Sequence, residues 1–243
     1  MIKIMKYGQV PNSEIFARVS PSVNVEEIVA DIIADVRANG DKAVLNYNLQ
    51  FDKANLDTLL VSQEEIDEAF ETVDPQFLSV LEQAAENIRH FHCKQVRNSF
   101  VIADKPGIVL GQKVTPIDRV GVYVPGGTAA YPSTVLMDTI PAKIAGCPMI
   151  IMVTPPGSDG KINPVILAAA KIAGVDKIFK VGGAQAVAAL AYGTESIPKV
   201  DKIVGPGNAF VAEAKKQVFA EPDDRYGYAW CGSWSAYRPA NGR

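Results

Sequence analysis

Apolar residues recur at helical spacing through the first hundred residues of this 243-residue chain. Between residues 25 and 36 they occupy one face of a predicted helix, which Gly40 is expected to end. Further helices are predicted to begin at Asp41, Ser62 and Asp74. From residue 99 to residue 110 the pattern becomes β-like. We interpret this region as scaffold, because it presents no group of residues with evident chemistry.

Beyond Arg119 a different pattern begins, in which an apolar strand, a loop and a helix alternate four times. The strands are predicted at 120–124, 149–153, 177–181 and 202–204. The helices are predicted at about 133–145, 163–173, 184–192 and 208–218. This alternation predicts an α/β fold with a parallel sheet and right-handed crossovers.

Three of the strands lead into glycine-rich loops, in the segments 121–128, 180–186 and 203–211. Glycine allows backbone N–H groups to approach a phosphate at the positive end of a helix. The carboxyl ends of parallel strands share one edge of a sheet, where open α/β sheets bind ligands. The three segments therefore predict a site for a nucleotide or a phosphorylated ligand.

Three side chains in these segments are candidates for ligand contacts. Tyr123 is able to stack on a base or to hydrogen-bond a ribose, although a tyrosine that ends a strand also suits the rim of a core. Gln185 and Asn208 lie at helix starts, where both are also suited to capping. No loop completes a dinucleotide-binding fingerprint, and no acidic residue follows at the spacing that binds ribose. Turn chemistry alone therefore stays open as the alternative.

Charge and composition exclude several classes of function. The chain has 24 basic and 27 acidic residues and no basic cluster, so nucleic acid is not an expected partner. Its most apolar stretch, 149–153, is too short to cross a membrane, and the N-terminus lacks the features of a signal peptide. Three cysteines without metal-type spacing favour a reducing cytoplasm. A small molecule is the expected partner.

Few residues have catalytic or metal-binding chemistry. His90 and His92 stand two apart on a predicted helix, so they point away from each other and do not predict a shared metal. Cys147 has no histidine near it in sequence to activate it, which favours a packed thiol. From the residues alone we predict a binding scaffold with no catalytic residue and no metal ligand.

Three runs carry a resemblance to a known family. Residues 118–133 read DRVGVYVPGGTAAYPS, residues 181–194 read VGGAQAVAALAYGT, and residues 202–208 read KIVGPGN. These runs resemble histidinol dehydrogenases. Shorter runs at 37–44 and 87–92 are also similar to that family, so the resemblance covers residues 1 to about 219.

The resemblance implies Rossmann-like domains and an enzyme of amino-acid biosynthesis. The family oxidises L-histidinol through histidinal to L-histidine, which is the last enzyme activity of histidine biosynthesis. It uses two NAD and a bound zinc, and the intact enzyme is a homodimer. By the same resemblance, Tyr123, Gln185 and Asn208 occupy NAD-binding positions.

After Phe219 the sequence departs from the family pattern. The resemblance places the zinc ligands, the substrate-contacting serine and the catalytic glutamate and histidine beyond this point, so none of them is assigned here. It also implies that residues 1–119 are a helical segment with part of an incomplete first α/β domain, and that residues 120–219 are an inserted Rossmann-like NAD-binding domain. Residues 220–243 are then a tail foreign to the family. We expect the chain to be truncated and inactive.

The tail is predicted to be an out-of-frame translation and to be disordered. Codons for residues 224–227 can be chosen so that a shift of one base gives a run close to the family's own sequence at this place. Its aromatic residues follow neither helical nor strand spacing. The alternative is a genuine short segment that packs on the sheet.

Two other functions also stay open. One is a non-enzymatic nucleotide-binding module. The other is an aldehyde-dehydrogenase-like enzyme that acts through a cysteine thiohemiacetal, for which Cys147 would be the candidate nucleophile.

Overall fold

The computed structural model describes residues 7–15, 25–126, 130–219 and 237–239. The helices are α1 (Asn12–Ile15), α2 (Val25–Tyr47), α3 (Gln63–Thr72), α4 (Pro75–His92), α5 (Pro132–Ile144), α6 (Pro164–Ala173), α7 (Gly183–Tyr192) and α8 (Ala209–Phe219). A π-helical turn, Asn48–Asp52, follows α2, and a 3₁₀ turn, Cys93–Gln95, follows α4. The strands are β1 (Phe100–Lys105), β2 (Ile108–Gln112), β3 (Val114–Pro116), β4 (Arg119–Tyr123), β5 (Met149–Thr154), β6 (Lys177–Lys180), β7 (Lys202–Val204) and β8 (Tyr237–Pro239).

A four-stranded parallel sheet with the order β6-β5-β4-β7 forms the centre of the molecule. In its register Val122 of β4 lies between Met152 of β5 and Val204 of β7. The strands alternate with α5 to α8 along the chain, as the sequence pattern predicts. The α/β fold with a parallel sheet is therefore confirmed.

Helices cover both faces of the sheet, because successive residues of a buried strand point to opposite sides. Ile151 and Val153 of β5 belong to the core beneath α7 and α8, whereas Ile150 and Met152 belong to the core beneath α5 and α6. Outside these layers, α2 packs on α7 and α8, and the pair α3 and α4 packs on α5 and α6. The N-terminal helices therefore extend both cores.

Local signals explain where the N-terminal helices begin and break. Ser62 and Glu65 form a reciprocal capping box at the start of α3, as predicted. Gly40 interrupts α2 with φ 53° and ψ −133°, which confirms the predicted break, although the chain continues directly into helix. Asp41, predicted to be a cap, instead accepts hydrogen bonds from Thr194 Oγ1 at 2.5 Å and from Ser196 Oγ.

The β-like pattern at 99–110 corresponds to an antiparallel hairpin of β1 and β2. Of the tail 220–243 the structure describes only Tyr237–Pro239, whose backbone pairs with Val114–Pro116 in antiparallel fashion. The other tail residues lie outside the described residues. The disordered, out-of-frame tail and the domain boundary at 119/120 thus stay predictions. None of the helices in the described ranges is long and apolar enough to span a bilayer.

Candidate functional site

A cavity of about 760 Å³ opens at the carboxyl edge of the parallel sheet. Tyr123 at the end of β4, Gln185 in the first turn of α7 and Asn208 before α8 all line it. Open α/β sheets bind ligands at this edge, and the volume suits a small molecule or cofactor. The structure thus brings together the three residues that the sequence analysis singles out.

Tyr123 connects the sheet to α7. Its hydroxyl oxygen accepts a hydrogen bond from the backbone N–H of Gly183 at 3.1 Å, and only 4% of the residue is exposed. Burial raises the pKa of Tyr123, and the negative charge of Asp52 also raises it. The hydrogen bond from Gly183 acts in the opposite direction and lowers the pKa. The phenol therefore stays protonated at neutral pH and keeps its own hydrogen as a donor.

Gln185 is buried in the wall of the cavity. Its Oε1 atom has no hydrogen-bond partner among the described residues, and α7 has no side-chain cap at its N-terminus. The capping role that was left open for Gln185 is therefore not observed. A buried amide oxygen without a donor costs free energy, so a ligand N–H or O–H at this position would be stabilising.

Asn208 has the capping role that the sequence left open. Its Oδ1 atom accepts a hydrogen bond from the backbone N–H of Val211 at 3.1 Å, which satisfies one of the free donors at the start of α8. The same residue lines the cavity. A cap and a ligand contact are compatible, because the amide also carries an NH₂ group.

The glycines of the loops are required by close packing. An added Cβ would lie 2.4 Å from the ring of Pro155 at Gly126 and 2.6 Å from it at Gly182. Gly205 has φ +107°, and an added Cβ there would lie 2.0 Å from the carbonyl oxygen of Tyr123. Close packing and, at Gly205, a positive φ thus explain these glycines without a ligand. Residues 127–129 of the first loop lie outside the described residues.

One wall of the cavity comes from the N-terminal region that the sequence analysis treats as scaffold. Ile28, Ile32 and Phe51 supply apolar surface, and Asp52 supplies a carboxyl group. Burial raises the pKa of Asp52, and its Oδ2 atom has no hydrogen-bond partner among the described residues. The packing of α2 on α7 and α8 brings this wall to the sheet edge, and no short motif signals that packing.

A second cavity, of about 390 Å³, borders the loop before α8. It is lined by Asp138 of α5 and Lys215 of α8, both buried. Lys215 Nζ donates a hydrogen bond to the carbonyl oxygen of Gly205 at 2.5 Å. Burial raises the pKa of Asp138 to about 7, against the opposing effect of the charge on Lys215. The hydrogen bond from Lys215 therefore ties α8 to the loop that carries Asn208.

The described residues include no group of three or more His, Cys, Asp or Glu side chains that is able to hold a metal ion. Zinc therefore does not fit them. His92 is buried, with Nδ1 2.7 Å from Gln95 Oε1.

Cys147 is also buried, and burial raises the pKa of its thiol. An activated thiolate needs the opposite shift, so the aldehyde-dehydrogenase-like alternative has no support from Cys147.

The sequence model of the histidinol dehydrogenases matches residues 17–223. The chain belongs to the histidinol dehydrogenase family. Histidinol dehydrogenase of Lactiplantibacillus plantarum is 60% identical over 199 residues, which are 82% of this chain and 46% of the relative. Histidinol dehydrogenase of Clostridium acetobutylicum is 51% identical over 228 residues, which are 92% of this chain and 53% of the relative.

A crystal structure of histidinol dehydrogenase from Elizabethkingia anophelis matches with a TM-score of 0.81 and 40% identity, over 87% of this chain and 48% of that one. The chain spans about half the length of the curated relatives that it matches, and it corresponds to an N-terminal portion of the family. The resemblance seen in the three sequence runs is therefore confirmed.

NAD, the dinucleotide implied by this family, fits the large cavity on several counts. The cavity lies at the sheet edge where such folds bind nucleotides, and it combines apolar walls with a few polar groups. Two of these groups, Gln185 Oε1 and Asp52 Oδ2, are buried acceptors without donors in the described residues. Ribose hydroxyls and a carboxamide N–H are donors of the required type.

Proposed function

We propose that this chain forms the NAD-binding part of a histidinol dehydrogenase. The whole enzyme would be a cytoplasmic homodimer that oxidises L-histidinol to L-histidine in the last step of histidine biosynthesis. One observation carries the proposal: Tyr123, Gln185 and Asn208, which the family resemblance assigns to NAD, line a single cavity at the carboxyl edge of the sheet. Family membership supports an oxidoreductase of this pathway.

Bound NAD would accept the hydride removed from the substrate. The residues of this chain would bind and orient the dinucleotide. Tyr123, fixed by its hydrogen bond from Gly183, would present a protonated hydroxyl to the ligand. Gln185 would accept a hydrogen bond from a ligand donor through Oε1, and the cap that Asn208 forms on α8 would hold its amide at the cavity.

We also propose that the 243-residue chain alone does not oxidise histidinol. The described residues contain no set of ligands for the zinc on which the family's chemistry depends, so their role is confined to holding the dinucleotide. Assays of the purified chain with histidinol and NAD, with and without added zinc, are expected to give no NADH. Zinc-dependent NADH production would contradict this.

Binding of the dinucleotide is tested by titration of NADH fluorescence. Tyr123→Phe keeps the packed ring but removes the hydroxyl, so we expect the Kd to rise about fivefold. Tyr123→Ala should weaken binding further, because it also removes ring contacts. Tyr7→Phe is the matched control, since Tyr7 is 85% exposed and does not line the cavity. An equal Kd in wild type, Tyr123→Phe and Tyr123→Ala would refute the proposed site.

A further inference from the structure

Asp52 lines the large cavity from a turn whose backbone is anchored by hydrogen bonds. It ends the π-helical turn Asn48–Asp52, which is closed by a hydrogen bond from the backbone N–H of Lys53 to Asn48 O. The turn is also tied to the sheet, because Asn48, fully buried, donates a hydrogen bond from Nδ2 to the carbonyl oxygen of Lys180 at 2.6 Å. Single π-helical turns are rare and occur often at functional sites.

The surroundings of Asp52 leave its carboxyl group in need of hydrogen-bond donors. Its Oδ2 atom is buried without a partner, and none of the residues that line the cavity is Lys, Arg or His, in both cases within the described part of the chain. Rotation about χ2 of an aspartate is soft, so either oxygen can turn towards a ligand. A vicinal diol matches a carboxylate well, because it supplies two hydroxyl donors side by side.

Apolar surface lies next to this carboxyl group. Phe51, half of which is exposed, and Phe210 both line the cavity, and aromatic side chains offer flat surfaces against which a nucleobase packs. The wall formed by α2, the π-helical turn and α8 therefore combines what a nucleoside requires: a face for the base and an acceptor for the sugar.

We propose that Asp52 accepts hydrogen bonds from the ribose hydroxyls of the dinucleotide and thereby selects NAD over NADP. The inference rests on the proposed function, since it assigns a specificity-determining residue within the same cavity. A 2′-phosphate would place negative charge beside the Asp52 carboxyl group, whose Oδ2 atom has no partner among the described residues, and no described residue that lines the cavity is basic. An acidic residue performs the same task in other dinucleotide-binding folds, from a different place in the chain.

The test compares the affinities for NAD and NADP of the 243-residue chain and its variants. We expect the wild-type chain to bind NAD at least about tenfold more tightly than NADP. Asp52→Asn should raise the Kd for NAD about tenfold and leave the Kd for NADP unchanged or lower, so that the two values converge. Asp57→Asn is the matched control, because it removes the same charge from an exposed position that does not line the cavity and should behave as wild type.

The ratio of the two Kd values makes the result independent of the folded fraction, because both ligands titrate the same sample. If Asp52→Asn weakens the binding of NAD and of NADP by the same factor, the residue is structural and the inference is wrong. If the ratio of the two Kd values in Asp52→Asn stays at the wild-type value while Tyr123→Phe weakens the binding of NAD, the inference fails and the proposed function stands. If the wild-type chain binds neither dinucleotide, the proposed function fails and the inference fails with it.

Discussion

The Asp138 carboxyl group illustrates how burial acts on a single residue. Only 8% of Asp138 is exposed, its Oδ2 atom has no hydrogen-bond partner among the described residues, and burial raises its pKa to about 7. An aspartate in the unfolded chain has a pKa of about 3.8. Between about pH 4 and pH 7 the folded protein therefore binds a proton that the unfolded chain releases.

We predict that Asp138→Asn changes the dependence of stability on pH. In the wild type, the contribution of Asp138 to stability is complete below about pH 4 and is lost as the pH rises to about 7, a change of about 4 kcal/mol in the free energy of unfolding. The variant lacks this titration, so its stability relative to wild type should increase from about pH 4 to about pH 7 and then level off. Urea unfolding across that range measures the difference. A constant difference would contradict the prediction.

At the scale of elements, the loop before α8 has two roles that a pair of variants separates. Asn208→Asp keeps an oxygen acceptor for the Val211 N–H, whereas Asn208→Ala removes it and should lower the free energy of unfolding by about 1 kcal/mol. Both variants remove the amide NH₂ group, so both should weaken NADH binding, measured by fluorescence titration.

Ser62→Ala is the control for the effect of helix capping. It breaks the capping box of α3, at a residue that does not line the cavity, and should also lower stability by about 1 kcal/mol. Its NADH affinity should equal that of wild type. If Ser62→Ala weakens binding as much as Asn208→Ala does, loss of stability alone explains the effect and Asn208 makes no ligand contact.

Elements were predictable from the sequence where their causes are local. The capping box at Ser62, the proline after Asp74 and the apolar strands beyond Arg119 each fix a boundary through neighbouring residues. The grouping of Tyr123, Gln185 and Asn208 was predictable for a similar reason, since parallel strands share one carboxyl edge. Asp52 was not, because it reaches the cavity only through the packing of α2 on α7 and α8.

For the whole molecule, the hairpin of β1 and β2 is the clearest exposed apolar surface among the described residues. Six of its apolar side chains are exposed: Phe100, Val101, Ile102, Ile108, Val109 and Leu110. Contiguous apolar surface of this kind promotes association. The strands at 99–110 were predictable from the sequence. The exposure of their apolar side chains was not, because exposure depends on which other elements pack against the two faces of the hairpin.

We predict that the purified chain associates in a concentration-dependent manner and that Val101→Lys reduces this association. Val101 is 72% exposed, so the substitution should leave stability nearly unchanged while it breaks the apolar surface with a charge. Gln83→Lys, at an exposed position of α4, adds the same charge elsewhere and serves as the control. Size-exclusion chromatography at several concentrations measures the effect. Equal behaviour of both variants would refute a role for the hairpin.

The walls of the large cavity come from opposite ends of the described sequence, with Ile28 and Ile32 on α2 and Phe210 on α8. A ribosome makes α2 long before α8, so a nascent chain that stops short of Asn208 has only part of the pocket. Under the proposed function, the dinucleotide would bind chains that have been synthesised past α8 and would favour their folded state by mass action. Cellular supply of the dinucleotide would then influence how many newly made chains persist.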